Sequence, residues 1–281
     1  VVNKLVFNSK PITKKLLILC VVLTSHFSVY AQRYFSGRNE FGVVYGVSNY
    51  YGDLAQGQNV KHFHPSYGVY QRYNLSSYFS LRNQLSYLKI SGTTEGNANY
   101  AFQNLNFKSD IYEFASMLSF DFHSFGTNVR NGTETPYAIL GLSMFYFDPT
   151  RLENSDLDLR EFNTENRSST YSPLQFAVPI GIGYKTMGTA KRHKGAWVFG
   201  IEAIWRKTFI DYLDDVDKVY PDYNEMKKNK GLGNAQYSQA QTLNGEPALN
   251  LGTFRGDVHL KDWYYFYGFN LSYRFTPFLC R

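Results

Sequence analysis

Residues Asp262 to Phe275 read D-W-Y-Y-F-Y-G-F-N-L-S-Y-R-F, and their alternation decides the fold class. Taken at period two, Trp263, Tyr265, Tyr267, Phe269, Leu271, Tyr273 and Phe275 share one face, while Tyr264, Phe266, Gly268, Asn270, Ser272 and Arg274 share the other. So many rings on one strand face suit a membrane-water interface better than the core of a soluble sandwich. The stretch reads as a membrane β-strand.

The rest of the chain repeats this alternation. Expected strands cover Glu40–Tyr50, Pro65–Asn74, Tyr78–Ile90, Asp110–Phe122, Pro136–Phe147, Leu174–Tyr184, Ala196–Asp211 and Asp262–Phe275. Phe41, Val43, Tyr45 and Val47 oppose Gly42, Gly46 and Ser48; Tyr112, Phe114, Leu118 and Phe120 oppose Glu113, Ala115, Ser119 and Asp121. The run Pro136–Phe147 is apolar on both faces, and Pro179 is expected to mark a bulge. Connections after the odd strands are long and those after the even strands shorter, the rhythm of extracellular loops and periplasmic turns. The expectation is an all-β fold: an eight-stranded antiparallel transmembrane β-barrel of an outer membrane, with long extracellular loops and both termini in the periplasm.

Composition agrees. Aromatic residues make up 18% of 281 residues, with 22 glycines, and mean hydropathy is negative. A barrel with a polar interior and wet loops has these properties; a helical membrane protein would show repeated apolar runs of about 20 residues. One apolar run, Leu16 to Val29, follows Lys4, Lys10, Lys14 and Lys15. It reads as a signal peptide over 1–31, cut after Ala31, leaving 32–281 as one barrel domain. Loss of those four lysines and no acid lowers the basic count from 29 to 25 against 23 acidic residues, so the net charge of +6 becomes +2. The chain therefore has no electrostatic case for nucleic acid. Of Cys20 and Cys280 only the second would survive processing, which excludes an internal disulfide and a thiolate metal cluster.

By parity Arg72, Arg82, Glu113, Asp121, Glu202, Arg206 and Arg274 point into a lumen just wide enough for side chains. Charges there must pair or hold water, so the expected lumen is plugged by ion pairs rather than open to solutes. Glu202 and Glu113 are expected to pair with inward arginines, Arg206 being the candidate for Glu113. No cofactor is expected. His62 and His64 have metal-ligand spacing, but nothing in the sequence supplies further ligands. Asp156, Asp158 and the acidic run from Asp211 to Asp217 lack the order of a calcium loop. Lys227, Lys228 and Lys230 could meet lipopolysaccharide phosphates or simply solvent. A Ser-His-acid hydrolase site at the rim has no fixed geometry in the sequence.

Four groups of segments carry a family resemblance: Ser48-Asn49-Tyr50-Tyr51-Gly52-Asp53-Leu54; Tyr70-Gln71-Arg72-Tyr73-Asn74; Thr208-Phe209-Ile210-Asp211-Tyr212-Leu213-Asp214-Asp215-Val216; and Arg255-Gly256 ahead of Asp262-Trp263-Tyr264. In matching order they resemble the PorG-like outer-membrane barrels of the type IX secretion system. That resemblance implies a non-enzymatic component of protein secretion whose partners are periplasmic ring proteins or lipoproteins. Lys185, Lys191, Arg192 and Lys194, read as one basic periplasmic turn, are the expected contact. A surface adhesin or ligand-binding barrel is the alternative, and a lipid-acting hydrolase a more distant one.

Overall fold

The computed structural model describes residues 39–54, 62–94, 105–126, 132–151, 159–162, 164, 170–188, 195–216, 220–232, 255–256 and 261–275. The expected leader up to Ala31 lies outside them. The strands are β1 (Asn39–Tyr51), β2 (His64–Asn74), β3 (Phe79–Thr93), β4 (Asn106–Asp121), β5 (Glu134–Thr150), β6 (Leu174–Met187), β7 (Ala196–Thr208) and β8 (Trp263–Arg274). They form a closed barrel in sequence order, each antiparallel to its neighbours, with β1 pairing back onto β8. Closure leaves no sheet edge, the condition for placing strands in hydrocarbon.

The outer wall is apolar. Val43, Val69, Leu85, Leu142, Ile180, Ile201 and Leu271 are all exposed. Rings gather above and below them. Phe79 meets Phe120 at 5.1 Å and Trp197 meets Tyr273 at 5.2 Å at the end with short turns. Tyr87 touches Tyr67 at 5.2 Å and Tyr112 at 5.4 Å at the end with long loops. On β1 the span from Phe41 to Tyr51 corresponds to roughly 25 Å of height at about 3.3 Å per residue and a tilt near 40°. An apolar band of that height between two aromatic girdles is the surface of a membrane barrel.

Small residues inside make room for large ones. A Cβ on Gly42 would lie 2.7 Å from the Tyr70 ring, and one on Gly183 would strike Tyr137. Each tyrosine thus fills the space its glycine leaves. Glycine has another use where β1 meets β8: Gly46 pairs with Gly268, and a side chain on Gly46 would strike the Tyr267 carbonyl.

Three expectations are corrected. Alternation in β6 runs on through Met187 instead of stopping at Tyr184, so Lys185 belongs to the strand and not to a turn. It continues the inward series of Gly181 and Gly183 and its side chain is buried. Lys185 is therefore not a surface contact for a partner. Pro179 makes no bulge: β5 and β6 hold one register on both sides of it, from Leu140↔Ile180 to Ser143↔Ala177, and only the local pairing lapses. Strand β7 ends at Thr208, so Asp211 lies beyond the barrel wall. Substituting Gly46→Val is expected to hold β1 off β8, at a cost of about 1 to 3 kcal/mol or more because the obstacle is backbone. The heat-modifiable band on a gel should melt at a lower temperature or fail to form.

Candidate functional site

Inside the barrel the charged side chains stand in tiers. Nearest the short turns, Glu40 accepts from Arg72 at 2.7 Å, Arg274 at 3.2 Å and Ser272 at 2.6 Å. Lys185 lies 2.9 Å from Asp121. Phe125, from the connection between β4 and β5, closes this end, with Lys185 Nζ 4.6 Å and Arg274 Cζ 4.8 Å from its ring centre.

In the middle tier Arg82 donates to Glu202 through both Nη atoms, at 2.7 and 2.9 Å. Tyr137 and Asn270 donate to the same carboxylate at 2.8 and 2.9 Å. Arg72 and Arg82 are direct cross-strand neighbours, an arrangement that repels. The Tyr70 ring lies under both, 5.2 Å from Arg72 and 4.2 Å from Arg82, and each arginine takes a different carboxylate. Above them Arg206 Nε donates to Glu113 at 2.8 and 3.0 Å, and Tyr264 donates to it at 2.7 Å.

All seven inward charges read from the sequence thus face the lumen, and Arg206 meets Glu113. Glu40 and Lys185 were missed. Both obey the parity of their strands: Glu40 opens an expected strand with no face assigned to it, and Lys185 falls one residue past the expected end of β6, in the expected basic turn.

The long-loop mouth is sealed by residues from segments far apart in sequence. Tyr50, at the top of β1, has its hydroxyl 2.6 Å from Asp214 Oδ2 and 2.8 Å from Asp262 Oδ1. One hydroxyl has one proton, so it can donate to only one carboxyl; the other carboxyl must itself be protonated and donate back. The remaining oxygens are held by backbone. Leu213 N–H donates to Asp262 Oδ2 at 2.9 Å and Val216 N–H to Asp214 Oδ1 at 3.0 Å. Asp215 takes a left-handed backbone, φ 62°, and accepts from Thr164 and Tyr171. Arg255 donates to Thr164 at 2.8 Å and to the Asp215 carbonyl at 3.0 Å.

Beneath this polar knot Leu54, Leu213 and Val216 pack with Leu88, Ile90, Phe107, Ile111 and Phe147 in one apolar cluster. Tyr212 stacks on Tyr171 at 5.2 Å, and Tyr171 stacks on Phe147. Gly52 and Gly256 allow the segments to close: a side chain on Gly52 would strike Tyr50 and Asp262, and one on Gly256 would strike Asp53. Tyr51 stays outside, against Tyr265. The motif residues Gly52, Asp53, Leu54, Leu213, Asp214 and Asp215 therefore meet at one place, although their segments are separated by 164 residues between Tyr50 and Asp214.

His62 and His64 both bond Ser91 Oγ, at 3.1 and 2.7 Å. Among the described residues no group of three or more His, Cys, Asp or Glu side chains is arranged to hold a metal ion. Lys191, Arg192, Lys194, Asp156, Asp158 and Asp217 lie outside the described residues. Among the described residues two helices lie in the long loops, the short α1 (Leu159–Phe162) and α2 (Tyr223–Lys230). Lys227 and Lys228 ride on α2, which Asp222 caps by accepting from Glu225 N–H at 2.8 Å.

These contacts set two expected outcomes. Replacing Glu202 by Gln leaves Arg82 buried beside Arg72 without its carboxylate, at a cost of about 3 to 5 kcal/mol. Heat-modifiability should report an earlier melt. The mouth is pH-dependent in the opposite sense to an ion pair. Burial, then the Asp262 charge, raises the Asp214 carboxyl well above 3.8; burial does the same to Asp262. A raised carboxyl contributes its stability in full below 3.8 and loses it as pH climbs from there through the raised value. Proteolysis of the 209–262 segment should therefore quicken, by about tenfold or more, as pH is raised from the acid range towards neutrality and beyond. Asp214→Asn should flatten the profile of cleavage rate against pH.

Among curated proteins, no sequence matches this chain. Among solved structures the chain is similar to Ail, the attachment invasion locus protein of Yersinia pestis, in complex with the heparin analogue sucrose octasulfate, at 9% identity and a TM-score of 0.39 over 86% of this chain and 100% of that one. It is similar to Neisserial surface protein A (NspA) at 9% identity and 0.40, over 84% and 97%. It is similar to the outer membrane protein OprG from Pseudomonas aeruginosa at 10% identity and 0.35, over 85% and 98%. The family model described as Domain of unknown function (DUF6089) matches residues 14–245, most of the chain, and the protein belongs to that family.

Proposed function

We propose that this chain is a non-enzymatic outer-membrane component of type IX protein secretion, serving as a structural and interaction element that contacts the periplasmic ring. The observation that carries the reading is the filled lumen. With Phe125 at one end, the Tyr50–Asp214–Asp262 knot at the other and paired charges between, the interior offers no path to a solute, and action is left to the two ends. A second support is that three of the four segments resembling the PorG-like barrels, all but Tyr70–Asn74, meet in the knot at the long-loop mouth.

The contact is assigned to the short-turn end. Lys185 has no part in it, being buried beside Asp121. The connection between β6 and β7 still carries Lys191, Arg192 and Lys194, three charges suited to steering an acidic partner. A tagged barrel solubilised from outer membranes should recover periplasmic ring proteins. Reversing Lys191, Arg192 and Lys194 to Glu should lower that recovery by about tenfold or more, since like charges across an interface cost several kcal/mol. Barrel heat-modifiability should not change. If the triple variant recovers its partners and replacement of residues 227–233 loses them instead, the protein acts through its long loops, as an adhesin or ligand-binding barrel would.

A further inference from the structure

The lipid-facing wall has one polar row. On β3 and β4 the outward pairs run Phe79↔Phe120, Leu81↔Leu118, Asn83↔Ser116, Leu85↔Phe114 and Tyr87↔Tyr112. The terminal pairs are ring contacts of the two girdles, so Asn83 and Ser116 lie midway between them, at the centre of the apolar band. Gln71 of β2 stands directly opposite Asn83 and extends the row. All three side chains are half-buried among larger neighbours. Gln71 donates to Asn39 at 3.3 Å; among the described residues the side chains of Asn83 and Ser116 make no hydrogen bond. Between the girdles, no other exposed or half-exposed Ser, Thr, Asn or Gln occupies a described outward position.

Hydrocarbon offers an amide nothing to bond, so a bare Asn at mid-depth is disfavoured unless another protein covers it. The same place is concave. A groove of about 700 Å³ opens on the wall, with Val69, Gln71, Asn83 and Leu85 along one part of it and Phe41, Leu271 and Trp197 along the rest. We propose that this face is a lateral interface within the membrane and that its occupant is a second copy of this chain. Two copies share one orientation in the bilayer, so the axis relating them runs along the membrane normal and keeps depth unchanged. It brings Asn83 against Asn83. An amide is both donor and acceptor, so two of them bond reciprocally with no other chemistry required, as a buried asparagine does between paired helices.

The test places single cysteines in the full chain carrying Cys20→Ser and Cys280→Ser, then oxidises intact outer membranes. Asn83→Cys should give a disulfide-linked species of twice the chain mass. Ile201→Cys, exposed on β7 on the far wall, should stay monomeric. In detergent, Asn83→Leu should weaken self-association by about three- to tenfold while Asn83→Gln retains it, the range expected for a side-chain hydrogen bond in a membrane. Equal cross-linking at Asn83 and Ile201 would reveal random collision and overturn the proposal. So would an adduct of another mass, which assigns the face to a different membrane protein, or no adduct at Asn83.

Discussion

The pairing of Arg72 and Arg82 with two separate carboxylates is the constraint on which the structure depends. These arginines face each other across β2 and β3 in a space no wider than their side chains. Neither can reach water, so Glu40 from β1 and Glu202 from β7 must arrive together. Glu40 stands on the strand beside β2, while Glu202 on β7 meets Arg82 of β3 from across the barrel, and that second pair ties the walls across the interior. Tyr137 and Asn270 donate to Glu202, and the Tyr70 ring lies against both guanidinium groups. The glycines opposite the tyrosines are a consequence, since rings and guanidinium groups together leave no volume for another side chain.

Most of the wall was legible in the sequence because a strand writes its two faces as odd and even positions. The aromatic run of β8 and the inward series of Arg72, Arg82, Glu113 and Glu202 follow from that rule alone. Parity also reaches past the expected strand ends. Lys185 looked like the start of a basic turn, yet its odd number already placed it with Gly181 and Gly183. Glu40 stood at the edge of a strand and was passed over, although it shares the parity of Gly42. The mouth was not legible in this way. Loop residues have no period, and a phenol at Tyr50 that chooses partners 164 and 212 residues away leaves no local trace.

The mouth and the lumen hold their charge by different means. In the lumen each carboxylate lies against a cationic side chain, and a missing partner is costly. At the mouth Asp214 and Asp262 approach one another through a shared hydroxyl, which is possible only because a proton is retained. The acidic segment after β7 thus behaves as a hydrogen-bonded lid and not as a surface charge. Its low-charge state lets Leu213, Val216 and Leu54 remain in the apolar cluster beneath.

The seam between β1 and β8 has a consequence for assembly. It joins residues such as Glu40 and Arg274, 234 positions apart, so it carries the largest loop-closure entropy of any strand pair and must form late. Until it forms, β1 and β8 each present an open edge in a setting where an unbonded backbone amide has no partner. Gly46 against Gly268 lets the two backbones meet without a side chain to move aside. Glu40 then binds Arg274 and Ser272 on β8 together with Arg72 on β2. The closing strand pair therefore carries its own clasp, and an unfinished barrel is marked by an arginine and a glutamate that have not yet met.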